Sequence, residues 1–318
     1  MTILINEPVT VTGQQPKKVR RQWVSRSLGP WLLLLPAIVV LAIGLGIPLV
    51  RQCIMAFQHY GRAQQFGQPA TFNGVDNFKA VFTDPDVWAV VIRSLAFCAV
   101  NVIVTMLIAT AIALLMTRIS TVPRIILQVC LLLAWAMPVI AAMTVWQWLF
   151  DTSYGVINWT LVHLGFSGFD QHNWLINPLS FFFVATVIVV WMSVPFVVFT
   201  LYAALTQVSD EMLEASALDG ASGLQRLRYI IYPTIRPVIS IVVLLQIVWD
   251  LRVFAQINYL QGVGGTVSET NLLGTFIYQL GVGNSNYGVA SALALLVLLM
   301  TLIISSGYIR SLLKEAQA

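Results

Sequence analysis

Two groups of polar residues interrupt a chain in which only 9% of residues are charged and 58% are hydrophobic. The first is a short charged stretch at residues 214–237, EASALDGASGLQRLRYIIYPTIRP. The second lies inside an apolar run and consists of Gln246, Trp249, Asp250, Arg252 and Gln256. Hydrogen-bonding groups beside a flat ring suit the binding of a polyhydroxylated solute. The second group therefore predicts a solute contact, whereas the first offers charges and helix breakers without a catalytic constellation.

The charged residues of the second group are costly in lipid. A charge at the centre of a bilayer costs several kcal/mol unless it is paired or faces water, so Asp250 marks a candidate translocation path. On a continuous helix, with about 100° per residue, Gln246, Trp249, Asp250 and Gln256 fall within an arc of about 120°. Arg252 would lie about 160° from Asp250, so it would meet an acidic or carbonyl group on another helix or subunit instead. The alternative is that both charges are structural links between subunits.

Membrane spans must hold these residues. A mean hydropathy of +0.83 leaves too little polar surface to coat a soluble globule of 318 residues. A helix that crosses about 30 Å of hydrocarbon needs about 20 residues. Pro138 and Pro195 are each expected to kink the span that contains them. Six apolar runs are long enough, at residues 31–50, 94–116, 125–150, 181–205, 238–260 and 287–308.

The distribution of basic residues predicts the orientation of these spans. Most of the 17 Lys and Arg fall on one side of the membrane if the chain begins in the cytoplasm. Residues 1–29 and 313–318 are then cytoplasmic tails, and residues 30–312 form a single transmembrane domain. The first apolar run is too long for a signal peptide and is interpreted as a retained span. The net charge of +4 reflects this topology and gives no support for a nucleic-acid partner.

Several kinds of site are not supported by the sequence. No phosphate-binding loop of the G-x-x-x-x-G-K-[ST] type occurs. The cysteines show no metal-ligand spacing, and the histidines fall in predicted outer loops, which leaves no metal site and no proton relay at mid-membrane depth. These residues are Cys53, Cys98, Cys130, His59, His163 and His172.

Residues 206–237 are predicted to form two short cytoplasmic helices. Ser209 or Asp210 caps the first helix. Asp219 and Gly220 break it, because glycine permits a left-handed turn. A second helix over residues 222–231 would stop before Pro233 and Pro237. By itself this pattern is compatible with an ordinary solvated loop.

The sequence of residues 206–237, named the coupling loop from here on, resembles the EAA loop of permease subunits from binding-protein-dependent ABC importers, which reads E-A-A-x-x-D-G-A followed later by Pro. Other segments, such as NYGVASALALLVLL, resemble the carbohydrate-permease branch (the maltose, trehalose and glycerol-phosphate type), so the likeness extends over residues 30–312. The matching loop residues are Glu214, Ala215, Asp219, Gly220, Ala221 and Pro233. Outside the EAA pattern, the chain departs from the residues common in that branch at Ser209, Gln261, Val263 and Gly265.

The resemblance implies an all-α integral membrane protein with six transmembrane helices, both termini cytoplasmic and the type I ABC importer permease fold. It implies a multi-pass protein of a prokaryotic inner membrane that forms half of a sugar translocation pathway. It further implies no enzymatic activity and no cofactor in this chain, since ATP and Mg would bind to two separate ATPase subunits. The other implied partners are a second permease subunit in a heterodimer and an extracytoplasmic solute-binding protein.

In that family the EAA helices dock into a groove on the ATPase, so closure of the ATPase dimer becomes a rigid-body rotation of the spans. By resemblance, Glu214 is the charged anchor, Gly220 makes the turn tight, and Asp219 caps the second helix.

Two other classes of function compete with this interpretation. A secondary transporter driven by an ion gradient through Asp250 would be expected to show internal repeats and a cluster of ion-binding residues, and neither is visible. A membrane-embedded enzyme would need a His, Ser or Asp constellation near a membrane face, and none is apparent. The pattern from Glu214 to Pro233 favours the importer subunit over both.

Overall fold

The computed structural model describes residues 29–315, and most of this range is helical. Most of the predicted N-terminal tail, with its five basic residues, and residues 316–318 lie outside the described residues. The chain divides after Val50 into two compact units. The first unit contains α1 (Gly29–Leu41) and a π-helical turn (Ala42–Gly46), and α2 (Ile47–Ala56) begins in the first unit and ends in the second.

The second unit contains the remaining helices and one small strand pair. The strands β1 (Gln58–His59) and β2 (Thr71–Phe72) pair antiparallel. The helices are α3 (Arg62–Gln65), α4 (Asp76–Thr83), α5 (Pro85–Arg118), α6 (Thr121–Ala136), α7 (Val139–Leu149), α8 (Val156–His163), α9 (Pro178–Leu205), α10 (Asp210–Leu218), α11 (Gly223–Arg226), α12 (Tyr232–Leu251), α13 (Ala255–Val263), α14 (Val267–Thr270), α15 (Leu273–Tyr278) and α16 (Tyr287–Glu315).

Five stretches of helix within the described residues are long and apolar enough to cross a membrane. A sixth span results if the bent pair of α6 and α7 crosses as one. The prediction of an all-α membrane protein is therefore confirmed, with five to six candidate spans. The five stretches are Leu33–Ala56, Pro85–Arg118, Pro178–Leu205, Gly223–Val263 and Tyr287–Tyr308.

Proline acts differently in two spans. Helices α6 and α7 meet at an angle of 103° across Met137 and Pro138. Proline lacks an N–H and disfavours helical geometry in the residue before it. Met137 is accordingly extended, with φ −68° and ψ 128°. The kink expected at Pro138 is confirmed and is a complete break, whereas α9 continues as one helix through Pro195.

Helix α9 is the central element of the second unit. Its first half carries Phe181 and Ile188 into an apolar cluster that also holds Ile257 of α13. Its second half packs in another cluster with Ala113 of α5 and Val242 of α12. Complete burial of such side chains contributes about 1.5–3 kcal/mol each in water, while in lipid close packing takes that role. Helices α5 and α12 are thereby held beside α9.

The structure corrects the predicted end of the second loop helix. Helix α11 does not stop before Pro233, but continues through a π-helical turn (Leu227–Ile231) into α12. In this wide turn the Tyr232 N–H bonds to the carbonyl of Leu227. Because Pro233 and Pro237 lack N–H groups and crowd the preceding turn, a helix can pass them only where its turns adjust, and a π turn is one such adjustment.

The predicted run 238–260 is not one continuous helix. Helix α12 ends at Leu251, and the chain leaves helical geometry before α13 begins at Ala255. No glycine or proline lies at this break, so tertiary contacts decide it. The side chain of Val253 is buried in the core, and the ring of Phe254 packs against Tyr278 of α15 at a centroid distance of 5.2 Å.

Candidate functional site

The coupling loop is built from two short helices joined by a sharp turn. Helix α10 begins after Ser209, whose Oγ accepts a hydrogen bond from the Met212 N–H at 3.1 Å. The turn lies at Gly220, where φ is +81°, a conformation that strains any residue with a side chain. The Ala221 N–H bonds back to the Ser216 carbonyl at 3.0 Å and closes the helix end. The predicted cap and turn are thus confirmed.

Ser222 caps the second helix of the coupling loop, a role that was predicted for Asp219. The Ser222 Oγ accepts from the Gln225 N–H at 3.3 Å, and the Gln225 Oε1 accepts from the Ser222 N–H at 2.7 Å, which is a capping box. Asp219 instead ends α10, with its N–H bonded to the Ala215 carbonyl. The predicted role of Asp219 is wrong because the turn at Gly220 separates it from the first amides of α11.

One side of the coupling loop is anchored and the other is free of contacts within the described chain. Leu213 packs against the core cluster that contains the second half of α9. Leu218 is 90% exposed and Leu224 is 75% exposed, and neither was among the predicted site residues. Exposed apolar groups that are rimmed by polar ones are typical of protein interaction sites. Of the predicted coupling residues, Ala221 is half-buried, and those exposed are Glu214, Ala215, Asp219, Gly220 and Pro233.

Asp250 is buried near the end of α12, with 4% of its surface exposed. The Nε2 of Gln246 donates to its two carboxylate oxygens at 3.0 and 3.1 Å, and also to Oγ of Ser193 on α9 at 3.2 Å. These bonds replace part of the hydration that a carboxylate loses on burial. The Oε1 of Gln246 is buried and has no hydrogen-bond partner within the part of the chain that the structure describes.

A cavity of about 460 Å³ opens beside Asp250. Four of the five predicted path residues line it, namely Trp249, Asp250, Arg252 and Gln256. Gln246 does not line the cavity, but it donates hydrogen bonds to Asp250, which does. Met192 and Ser193 of α9 also line the cavity, and the Gln256 Nε2 lies 3.6 Å from the Met192 sulfur. The α9 residues were missed because nothing in an apolar run tells which helix face borders a cavity.

The break after α12 changes how these residues come together. The predicted arc placed Gln256 with Asp250 on one continuous helix, and that geometry is wrong because α13 is a separate helix. The same break brings Arg252 to the Asp250 cavity, although a helical wheel sets the two residues far apart. The Arg252 side chain is exposed there.

The cavity thus offers a carboxylate, a guanidinium, an amide and an indole ring to a solute. No cluster of three or more His, Cys, Asp or Glu that could hold a metal ion occurs within the described residues.

Residues 106–314 match the family model described as "binding-protein-dependent transport system inner membrane component". The chain is 42% identical over 291 residues to the diacetylchitobiose uptake system permease protein of Streptomyces coelicolor, covering 92% of this chain and 88% of that protein. It is 29% identical to the trehalose/maltose transport system permease protein of Thermococcus litoralis, covering 88% and 92%.

In fold, the chain is similar to a chain of a bacterial ABC transporter that imports alginate, with a TM-score of 0.74 at 22% identity. The match covers 90% of this chain and 96% of that one. The family and these permeases agree with the predicted non-enzymatic membrane subunit. The chain belongs to the family of inner membrane components of binding-protein-dependent transport systems.

Proposed function

We propose that this permease subunit forms half of the pathway of an ATP-driven sugar importer, and that its solute is a short β-linked oligosaccharide of N-acetylated amino sugars. The observation that carries the proposal is the Asp250 cavity, where an indole ring, a carboxylate and an amide face one space. A pyranose has an apolar face that stacks on a ring and hydroxyl groups that seek such polar partners. The similarity to a diacetylchitobiose permease supports the choice of amino sugar.

Within this proposal the two polar groups of the chain have separate tasks. The cavity residues Trp249, Asp250, Arg252 and Gln256 contact the solute, with Gln246 orienting the carboxylate. The coupling loop transmits the conformational change of a separate, ATP-hydrolysing ATPase to the spans, and it performs no chemistry itself. Glu214 would pair with a basic group of the ATPase, and Gly220 would allow the tight turn to enter its groove.

The proposed assembly has this chain, a second and different permease subunit, two ATPase subunits that bind ATP and Mg, and an extracytoplasmic solute-binding protein. Dependence on a binding protein is part of the family's description. A solved alginate transporter is in complex with a pentasaccharide-bound periplasmic protein. The competing class, an ion-coupled secondary transporter, gains no support from any relative named above.

Co-purification tests the assembly. The tagged chain is extracted from its native membrane, its stable partners are identified by mass spectrometry, and ATPase activity is measured with and without the recovered binding protein and diacetylchitobiose. We expect a second permease, an ATPase and a binding protein, with ATPase activity raised by the loaded binding protein. A chain that purifies alone and transports sugar in liposomes without ATP would overturn the proposal.

A further inference from the structure

A second cavity lies on the same face of α9 as the Asp250 cavity. The first meets α9 at Met192 and Ser193. The second, of about 510 Å³, meets α9 at Phe196, Phe199, Thr200, Ala203 and Ala204, and it also meets Gln207 just after the end of α9. Side chains three or four residues apart share one helix face, so the two cavities follow one another along a groove. At 1.5 Å per residue the part of the groove on α9 runs about 18 Å from Met192 to Ala204, more than half of the roughly 30 Å of a bilayer core.

This groove carries polar groups at a regular interval. Ser193 and Thr200 are seven residues apart, which is about two helical turns and returns to one face of α9, and Gln207 follows after seven more residues, just past the end of that helix. The hydroxyl proton of Thr200 is bonded to the Phe196 carbonyl at 2.8 Å, which leaves its oxygen able to accept. A helix face that contacted only lipid would be expected to carry apolar side chains in place of these polar ones.

Aromatic rings separate the two cavities. Trp249 lines the first cavity, while Phe196 and Trp135 line the second. The Phe196 ring lies 5.0 Å from that of Trp249 in an edge contact and 6.5 Å from that of Trp135 in a stacked one. Contact between Phe196 and Trp249 therefore stands at the boundary between the cavities.

We propose that the second cavity is a further sugar subsite, and that the Phe196–Trp249 pair is the barrier between it and the Asp250 cavity. The inference rests on the proposed function, because it assumes a sugar in the first cavity. A pyranose that leaves the Asp250 cavity displaces the ring of Phe196 and stacks between Phe196 and Trp135. Its hydroxyl groups then bond to Thr200 and Gln207, which substitute for the partners left behind.

Cysteine accessibility tests the subsite. In the assembled transporter, with Cys53, Cys98 and Cys130 replaced by alanine, Thr200→Cys and Gln207→Cys are exposed to a charged, membrane-impermeant methanethiosulfonate. Leu107→Cys on α5, where leucine is 67% exposed, is the matched lipid-facing control. We expect both groove cysteines to react and the control not to react, and saturating diacetylchitobiose with binding protein and ATP to slow the reaction severalfold.

Two results would overturn the subsite. Groove cysteines as unreactive as Leu107→Cys would mean that the face is covered by lipid or by another subunit. Labelling that the sugar leaves unchanged would make the cavity a recess without solute. ATP-dependent uptake of diacetylchitobiose in the same vesicles tests the proposed function separately, since thiol accessibility is measured whichever solute is carried.

Passive efflux tests the barrier. We expect Phe196→Ala to speed the leak of labelled diacetylchitobiose from proteoliposomes without ATP about fivefold, because one ring of the contacting pair is gone. Phe196→Tyr keeps the ring and should leak like the wild type. If Phe196→Ala does not assemble, Trp249→Leu replaces it, since Trp249 is 45% exposed and tolerates truncation better. Wild-type leakage from an assembled variant would exclude the barrier.

Discussion

Gly265 lies directly against the ring of Phe181. A Cβ built on this glycine would stand 2.5 Å from Cε2 of Phe181, and the Phe181 side chain is completely buried at the start of α9. The contact holds the segment that follows α13 against α9. It also gives a physical reason for one of the departures from the family pattern, since only glycine fits here without a shift of the ring.

Gly265→Ala is expected to destabilise the protein by about 1–3 kcal/mol, because overpacking forces the buried ring or the backbone to move. The measurement is the thermal midpoint of the detergent-solubilised protein by fluorescence-detected size-exclusion chromatography. Gly262→Ala is the matched control, because a Cβ at Gly262 meets nothing within 4 Å. Equal midpoints for the two variants would contradict the close approach.

Gly220→Val is expected to abolish coupled uptake, because a β-branched residue at a φ of +81° is strained and the turn of the coupling loop must rearrange. Sugar uptake, ATPase stimulation and co-purification of the ATPase are measured together, and sugar affinity of the binding protein should not change. Gly223→Ala, in the same loop with open space for its Cβ and no left-handed φ, should keep uptake. Normal assembly and uptake by Gly220→Val would remove the loop from the mechanism.

Leu218→Asp is expected to weaken ATPase binding at least tenfold, since a charge in the centre of an apolar contact is desolvated without a partner, at a cost of about 1–3 kcal/mol or more. The stability of the isolated chain should not change, because Leu218 is 90% exposed. The ATPase subunit retained in a pull-down is the readout. Leu164→Asp, on the loop after α8 and 69% exposed, is the control. Equal retention with both variants would show that Leu218 is not at the ATPase interface.

Gln246→Leu is expected to reduce transport about tenfold or more, because the buried carboxylate of Asp250 then loses its hydrogen-bond donor, worth about 1–3 kcal/mol. A double-mutant cycle with Asp250→Asn measures the coupling between the two residues. We expect the double variant to be no worse than the worse single variant, because both changes affect one hydrogen-bonded unit. Additive losses would mean that Gln246 does not act through Asp250.

Much of the fold follows from local rules. Long apolar stretches must form hydrogen bonds within themselves in lipid, so spans are recognisable from composition alone. The cap at Ser209 and the turn at Gly220 depend only on neighbouring residues, and both were predicted correctly. Pro138 breaks its helix for a similarly local reason.

Other features have no local cause. Pro233 would be expected to end a helix, yet the chain passes it through a π turn. Asp219 is a plausible cap by type, but the geometry of the turn gives that role to Ser222. The break between α12 and α13 has no glycine or proline, and it depends on the packing of Val253 and Phe254 against other helices.

Composition and local patterns were enough to predict an α-helical membrane protein, a coupling loop of two helices with a turn at Gly220, and the exceptional position of Asp250 in an apolar run. Which residues meet around Asp250 depends on tertiary packing. A helical wheel holds along one uninterrupted helix, whereas the cavity joins α9, the end of α12 and the start of α13. Packing between helices that are distant in sequence fixes that arrangement. It cannot be read from the local sequence, because a uniformly apolar helix does not indicate which of its faces makes a contact.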